Sequence, residues 1–174
     1  MGSSGKIIFQ ESFKFRDMRE VAFSKINMMG RNAAHGDFSG IDFENRDLTD
    51  SSFMFATLWR TIFTGAEILT ANFSYADGWK SVFTETLIRE SNFVGFHGRG
   101  ASFRGAICKE VNFQNAQFFQ ADFRGARFIR CNFSGTNIYE ARFDEETIFE
   151  NSEQGFINPE FLPDQVRKRK LRIV

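Results

Sequence analysis

From Phe13 to Ile148 every fifth residue is uncharged, and most are large and apolar. The run covers 28 consecutive positions without an insertion, and sixteen of them are Phe. Two residues before most centres stands a small residue, as at Ala56, Thr61, Ala66, Ala71, Ala76 and Ser81. Five residues advance a helix by about 500°, which would smear the Phe set around the cylinder. On a flat strand an odd spacing would throw successive Phe onto opposite faces. The pattern requires a chain that bends inward every five residues, with the centre and the small residue both pointing into a shared interior. It predicts a solenoid with one short side per pentapeptide.

The number of sides is also written in the chain. Asn precedes the centre at Asn72, Asn92, Asn112 and Asn132, a spacing of 20, whereas Val82, Ser102 and Asp122 stand between them. The Gly centres Gly78 and Gly98 are 20 apart, as are Trp59 and Trp79. Four sides therefore close one coil. Residues 11–150 make about seven coils, a rod roughly 34 Å long at the usual strand spacing of about 4.8 Å. Side one holds Phe13 and every twentieth residue after it; sides two, three and four follow in order. Side three is Phe23, Phe43, Phe63, Phe83, Phe103, Phe123 and Phe143, and side one carries Phe53, Phe73, Phe93, Phe113 and Phe133. Two Phe columns are expected to face each other as a core ladder. The Asn column is expected to stack as an amide ladder near a corner.

Units such as Ala121-Asp122-Phe123-Arg124-Gly125 and Ala71-Asn72-Phe73-Ser74-Tyr75 resemble the pentapeptide-repeat family. The resemblance covers residues 11–150 and implies an all-β fold, a right-handed quadrilateral β-helix. Departures occur at residues 31–35, 76–80 and 96–100. At the last, Phe96 occupies a small position, and a bulge or locally rotated side is expected, with Phe96 filling the space left by Gly98. The chain divides into an N-terminal cap at 1–10, the β-helix at 11–150, and a C-terminal cap with a basic tail at 151–174. A solenoid needs covers at both ends. Residues 6–10 suit the first coil, and Phe156, Phe161 and Leu162 suit the last, behind a helix start at Asn158-Pro159-Glu160.

Composition narrows the class. The chain has 174 residues, 22 basic and 22 acidic, and 24 of its aromatics are Phe. With two Cys it is no disulfide scaffold. It shows no hydrophobic leader and no transmembrane segment, so a soluble protein of a reducing, cytoplasmic setting is expected; Met1 to Gly5 could be an expression-vector scar. No residue constellation suits catalysis. His35 and His97 fall on different sides, and Cys108 and Cys131 read as buried space-fillers. No Cys/His spacing suits a metal. The expectation is a non-enzyme without cofactors.

Function must then lie on the outer faces. Side two carries Trp59, Trp79, Phe119 and Tyr139 with Arg99 among them, and Phe55 and Tyr75 lie beside them on side one. These are candidate interface anchors; the plainer reading is aromatics packed flat on the rod. Side one from residue 51 onward holds no charged residue. It could dock a partner or a second copy in a homodimer, or simply be a stacked ladder. The tail Arg167, Lys168, Arg169, Lys170 and Arg172 could bind nucleic acid or an anionic membrane, or be a solvated end. Without it, seventeen bases face twenty-two acids, a net charge of −5. The leading expectation is a non-catalytic scaffold that binds an unidentified protein. An alternative comes from the family resemblance: some members mimic duplex DNA and occupy bacterial type II topoisomerases, conferring quinolone resistance. Arg104, Arg124, Arg127 and Arg130 interrupt any acidic strip here. A second alternative is an effector targeted by its basic tail.

Overall fold

The structure is a computed structural model that describes residues 13, 17, 18, 26–152 and 155–164. The chain returns beside itself, in parallel, every twenty residues. Single-residue bridges such as Asp37↔Thr57, Asp77↔His97 and Asn112↔Asn132 hold this register on all sides. The result is the expected all-β solenoid with four sides per coil. Among the described residues, three-residue strands form only on side four: β1 Glu67–Leu69, β2 Leu87–Arg89, β3 Ile107–Lys109, β4 Arg127–Ile129 and β5 Ile148–Glu150. They make one parallel sheet in chain order. Five coils, fewer than the seven the period predicts, thus carry a strand. Lower coils are joined by single bridges beginning at Asp17↔Asp37. Phe23 and residues 6–10, placed in the core and the first cap by the sequence, lie outside the described residues.

Each side folds for a local reason. On most sides the N–H three residues after the centre donates to the centre's own carbonyl, as from Ala56 to Phe53 (3.0 Å) and from Ala106 to Phe103 (3.0 Å). The fifth residue of the pentad then takes a left-handed backbone, with φ of 57° at Phe55 and Tyr75 and 63° at Gly95. The residue before the centre often fastens this turn from outside. Asn72, Asn92, Asn112 and Asn132 each accept, at Oδ1, the N–H two residues on, at 2.9 to 3.0 Å. Asp37, Asp77 and Asp122 do the same. The Asn column is therefore a set of local Asx turns and not an amide ladder, because each oxygen is spent within its own pentad.

Backbone ladders then lock coil to coil. The centre's N–H donates to the following coil, as from Phe53 to Asn72 O and Phe73 to Asn92 O, both 2.7 Å. Small-position threonine hydroxyls point inward and tie back to the carbonyl of a centre in the preceding coil. Thr61 Oγ1 donates to Phe38 O (2.9 Å), Thr86 Oγ1 to Phe63 O (2.7 Å) and Thr136 Oγ1 to Phe113 O (2.7 Å). Cys131 Sγ makes the equivalent contact with Cys108 O at 3.3 Å. A buried hydroxyl thus satisfies itself without disturbing the interior.

The interior is the pair of Phe columns. On side three, Phe63–Phe83 and Phe83–Phe103 stack at 4.6 and 4.7 Å with interplanar angles of 7° and 14°. On side one, Phe53–Phe73 and Phe73–Phe93 stack at 5.0 and 4.7 Å. Across the axis the columns meet edge to face, as in Phe73–Phe83 at 80°. Each pair adds about 0.5–1.5 kcal/mol beyond burial. Phe96 fills the space at Gly78, where a Cβ would lie 2.1 Å from its Cζ, and shares the space at Gly98 with Phe118: a Cβ there would lie 2.6 Å from the Phe118 ring and 2.9 Å from Phe96 Cε1. The expected bulge is absent, because a ring entering from the small position replaces the missing centre at Gly78 and, together with Phe118, that at Gly98, and leaves the Asp77↔His97↔Gln117 register intact.

The last coil corrects the sequence reading. Phe128 pairs with Phe149, not Ile148, and the rings stack at 5.0 Å. One extra residue between Phe143 and Phe149 delays the centre. Asp144 organises the longer turn: Gly125 N–H donates to its Oδ1 (2.9 Å), and so does Thr147 Oγ1 (2.9 Å). Thr147 Oγ1 also lies 3.1 Å from Phe123 O, which shares its one proton, and so Thr147 acts as the small-position residue. Beyond it, Phe156 covers Phe133 at 4.9 Å, and Leu162 is buried. Pro159–Phe161 forms a 3-10 turn, but the Asn158 side chain makes no capping bond, contrary to the expected N-cap; its Oδ1 is buried instead.

Candidate functional site

The outer surface is set by the two residues after each centre, which ride the turns. Phe55, Trp59, Tyr75, Phe119 and Tyr139 are exposed; Trp59 is 46% and Tyr75 50% accessible. They do not form one stripe. On side one, His35 stacks on Phe55 at 5.0 Å and Phe55 on Tyr75 at 5.2 Å. Tyr75 then leans over Gly95, where a Cβ would lie 2.6 Å from the ring. This column presents ring edges outward and packs along the rod.

On side two, Trp59 and Trp79 meet edge to face at 6.2 Å. The guanidinium of Arg60 lies 5.0 Å from the Trp79 ring centre, and Lys80 Nζ lies 4.8 Å from it. Such cation–π contacts hold both cations against the rod. The sequence reading missed Arg60 and Lys80. The signal was present: each directly follows a Trp, at the left-handed fifth position. Arg99 sits one coil further, exposed, next to Gly100. Phe119 contacts Tyr139 at 6.1 Å, and Tyr139 contacts Phe161 of the C-terminal segment at 5.0 Å. That end of the expected stripe is therefore partly engaged by the cap.

On sides three and four some charges are paired. Arg124 bonds Asp122 (2.6 Å), Arg127 bonds Glu150 (2.9 Å) and Arg130 bonds Glu110. The Arg130 hydrogen bond holds the Glu110 carboxyl below its usual range. Burial raises Asp122, but the hydrogen bonds and charge of Arg124 outweigh it and the net shift is downward. Cys108 and Cys131 are free and buried. Burial pushes the Cys108 thiol well up and Cys131 up to about 11, so neither is a ready thiolate. No helix among the described residues is long and apolar enough to cross a membrane. The basic tail residues Arg167, Lys168, Arg169, Lys170 and Arg172 lie outside the described residues.

The model of the family of pentapeptide repeats matches residues 81–118 and 112–145. No curated protein matches the chain by sequence. Among solved structures, full-length QnrB1, a plasmid-mediated fluoroquinolone resistance protein, is similar at 16% identity and a TM-score of 0.62, over 92% of this chain and 93% of that one. A trypsin-treated form of QnrB1 is similar at 19% identity and a TM-score of 0.52, over 74% and 65%. The pentapeptide-repeat protein Rfr23 from the cyanobacterium Cyanothece 51142 matches at 15% identity and a TM-score of 0.45, over 66% and 88%.

Proposed function

We propose that this chain, a pentapeptide-repeat protein, is a non-catalytic scaffold that binds another protein through the aromatic corner between sides one and two. The Trp59–Trp79 pair supports the reading. Two large aromatic side chains, one of them half exposed, sit on a backbone bonded to the coils above and below. A rigid support lowers the ordering cost of binding, and Trp is a common interface anchor. Phe55, Tyr75, Arg99, Phe119 and Tyr139 would form the surrounding contact area. Residues 11–150 would be the scaffold, with the flanking segments as covers. Capture of partners by the full chain, compared with Trp59→Ala combined with Trp79→Ala, tests the reading. Loss of partners with an unchanged circular dichroism spectrum is expected; retention of the same partners would remove it.

A DNA-mimic role at a topoisomerase is the second reading, prompted by the likeness of fold to QnrB1. That likeness concerns the fold alone. Arg60, Lys80 and Arg99 on side two, with Arg104 and Arg142 on side three, break up any uniformly negative face. A gyrase supercoiling assay with added protein separates the two readings; inhibition or protection from quinolone would favour mimicry.

A further inference from the structure

We infer that the partner presents an acidic segment, rich in carboxylates, to the Trp59–Trp79 corner; this rests on the scaffold reading above. The reason is the cluster of cations held there. The chain is balanced overall, with 22 basic and 22 acidic residues. On sides three and four Arg124, Arg127 and Arg130 each have a carboxylate partner, while Arg89, Arg104, Lys109 and Arg142 form no ion pair among the described residues. Arg60, Lys80 and Arg99 form no ion pair among the described residues, although they occupy successive coils of one side. Arg60 and Lys80 lie one coil apart, about 4.8 Å along the rod, and the Trp79 ring holds both.

The fit is to a short acidic stretch of protein. Carboxylates would make charge-assisted hydrogen bonds to the guanidinium and ammonium groups. Because Trp79 already positions those groups, little side-chain freedom remains to be lost. The half-exposed Trp59 offers apolar area beside them for one large side chain. A long polyanion fits less well, because it would run along side two past Asp77. One Asp77 oxygen accepts the Trp79 N–H, but its charge stays on that face. Three cations also make a weak electrostatic footprint for nucleic acid.

The test uses the full chain, whose only tryptophans are Trp59 and Trp79, so that intrinsic fluorescence reports the corner itself. The probe is a short glutamate-rich peptide carrying one phenylalanine. The controls are the same peptide with glutamine for glutamate, and oligothymidylate. Saturable binding that weakens with salt is expected. Arg60→Glu combined with Lys80→Glu should lower the affinity about tenfold or more. The fold should tolerate that exchange, since Glu85, Glu90 and Glu110 already adopt the same left-handed position; circular dichroism checks it. Equal binding of the glutamine peptide, an unaffected charge-reversed variant, or tighter binding of oligothymidylate would each overturn the inference. Partner capture separates the two readings. If the Trp double variant loses partners and the charge-reversed one keeps them, the acidic segment is wrong and the scaffold stands. If both keep them, both fall.

Discussion

Phe83 shows how much one side chain carries. It stacks on Phe63 and Phe103 along its own column and meets Phe73, Phe93 and Phe96 edge to face. Coils above and below are pinned by backbone bonds, so the space cannot collapse. Phe83→Ala should therefore destabilise by about 3–5 kcal/mol, read from urea unfolding. At this scale the five-residue period located the buried centres and even the filling of the glycine gap by Phe96. It did not expose the left-handed fifth residue, because Phe55, Arg60, Tyr75 and Lys80 stand where a turn would ordinarily favour Gly or Asn. The backbone bonds between coils impose that geometry whatever the side chain. Nor did the period show that Thr61 and Thr86 are chosen for a hydroxyl as well as for size, since the carbonyl each one meets lies 23 residues away.

The sides behave as two kinds of element. Most bend through a hydrogen-bonded turn, whereas side four from β1 onward stays extended for three residues, and its corners use the next coil's side chains. Ala71 N–H donates to Ser91 Oγ (3.1 Å) and Cys131 N–H to Ser152 Oγ (3.0 Å). The extended turn before β5 depends on Asp144. Burial raises its carboxyl, but bonds from the Gly125 N–H and the Thr147 hydroxyl and backbone outweigh this, and the net shift is downward. Asp144→Ala should cost on the order of 1 kcal/mol. A carboxyl depressed in the fold contributes fully above its unfolded value of about 3.9 and loses that contribution as pH falls through the folded pKa. The stability gap between wild type and variant should therefore close on acidification, and urea unfolding at neutral and acidic pH would show it. The extra residue was invisible in the sequence because Ile148 and Phe149 are both apolar. The candidate corner was partly legible: the Trp spacing showed, but the cations over Trp79 needed the turn geometry.

For the whole molecule, coil contacts run only to the coils directly before and after, so stability accumulates along the rod. The twenty-residue register makes removal of a complete coil different in kind from removal of one side. Deleting residues 51–70 brings every downstream side back over its own column. Deleting only residues 66–70 turns everything downstream by a quarter, so that β2 to β5 no longer continue the face of the preceding coils. The shorter deletion should be the more destabilising, by thermal unfolding, although it discards a quarter as many residues. The single surplus residue before Phe149 sits where only the terminal cover follows, so the misphasing it introduces is never propagated. Lineages of such chains should consequently grow and shrink in whole circuits, and tolerate odd increments chiefly at their final circuit.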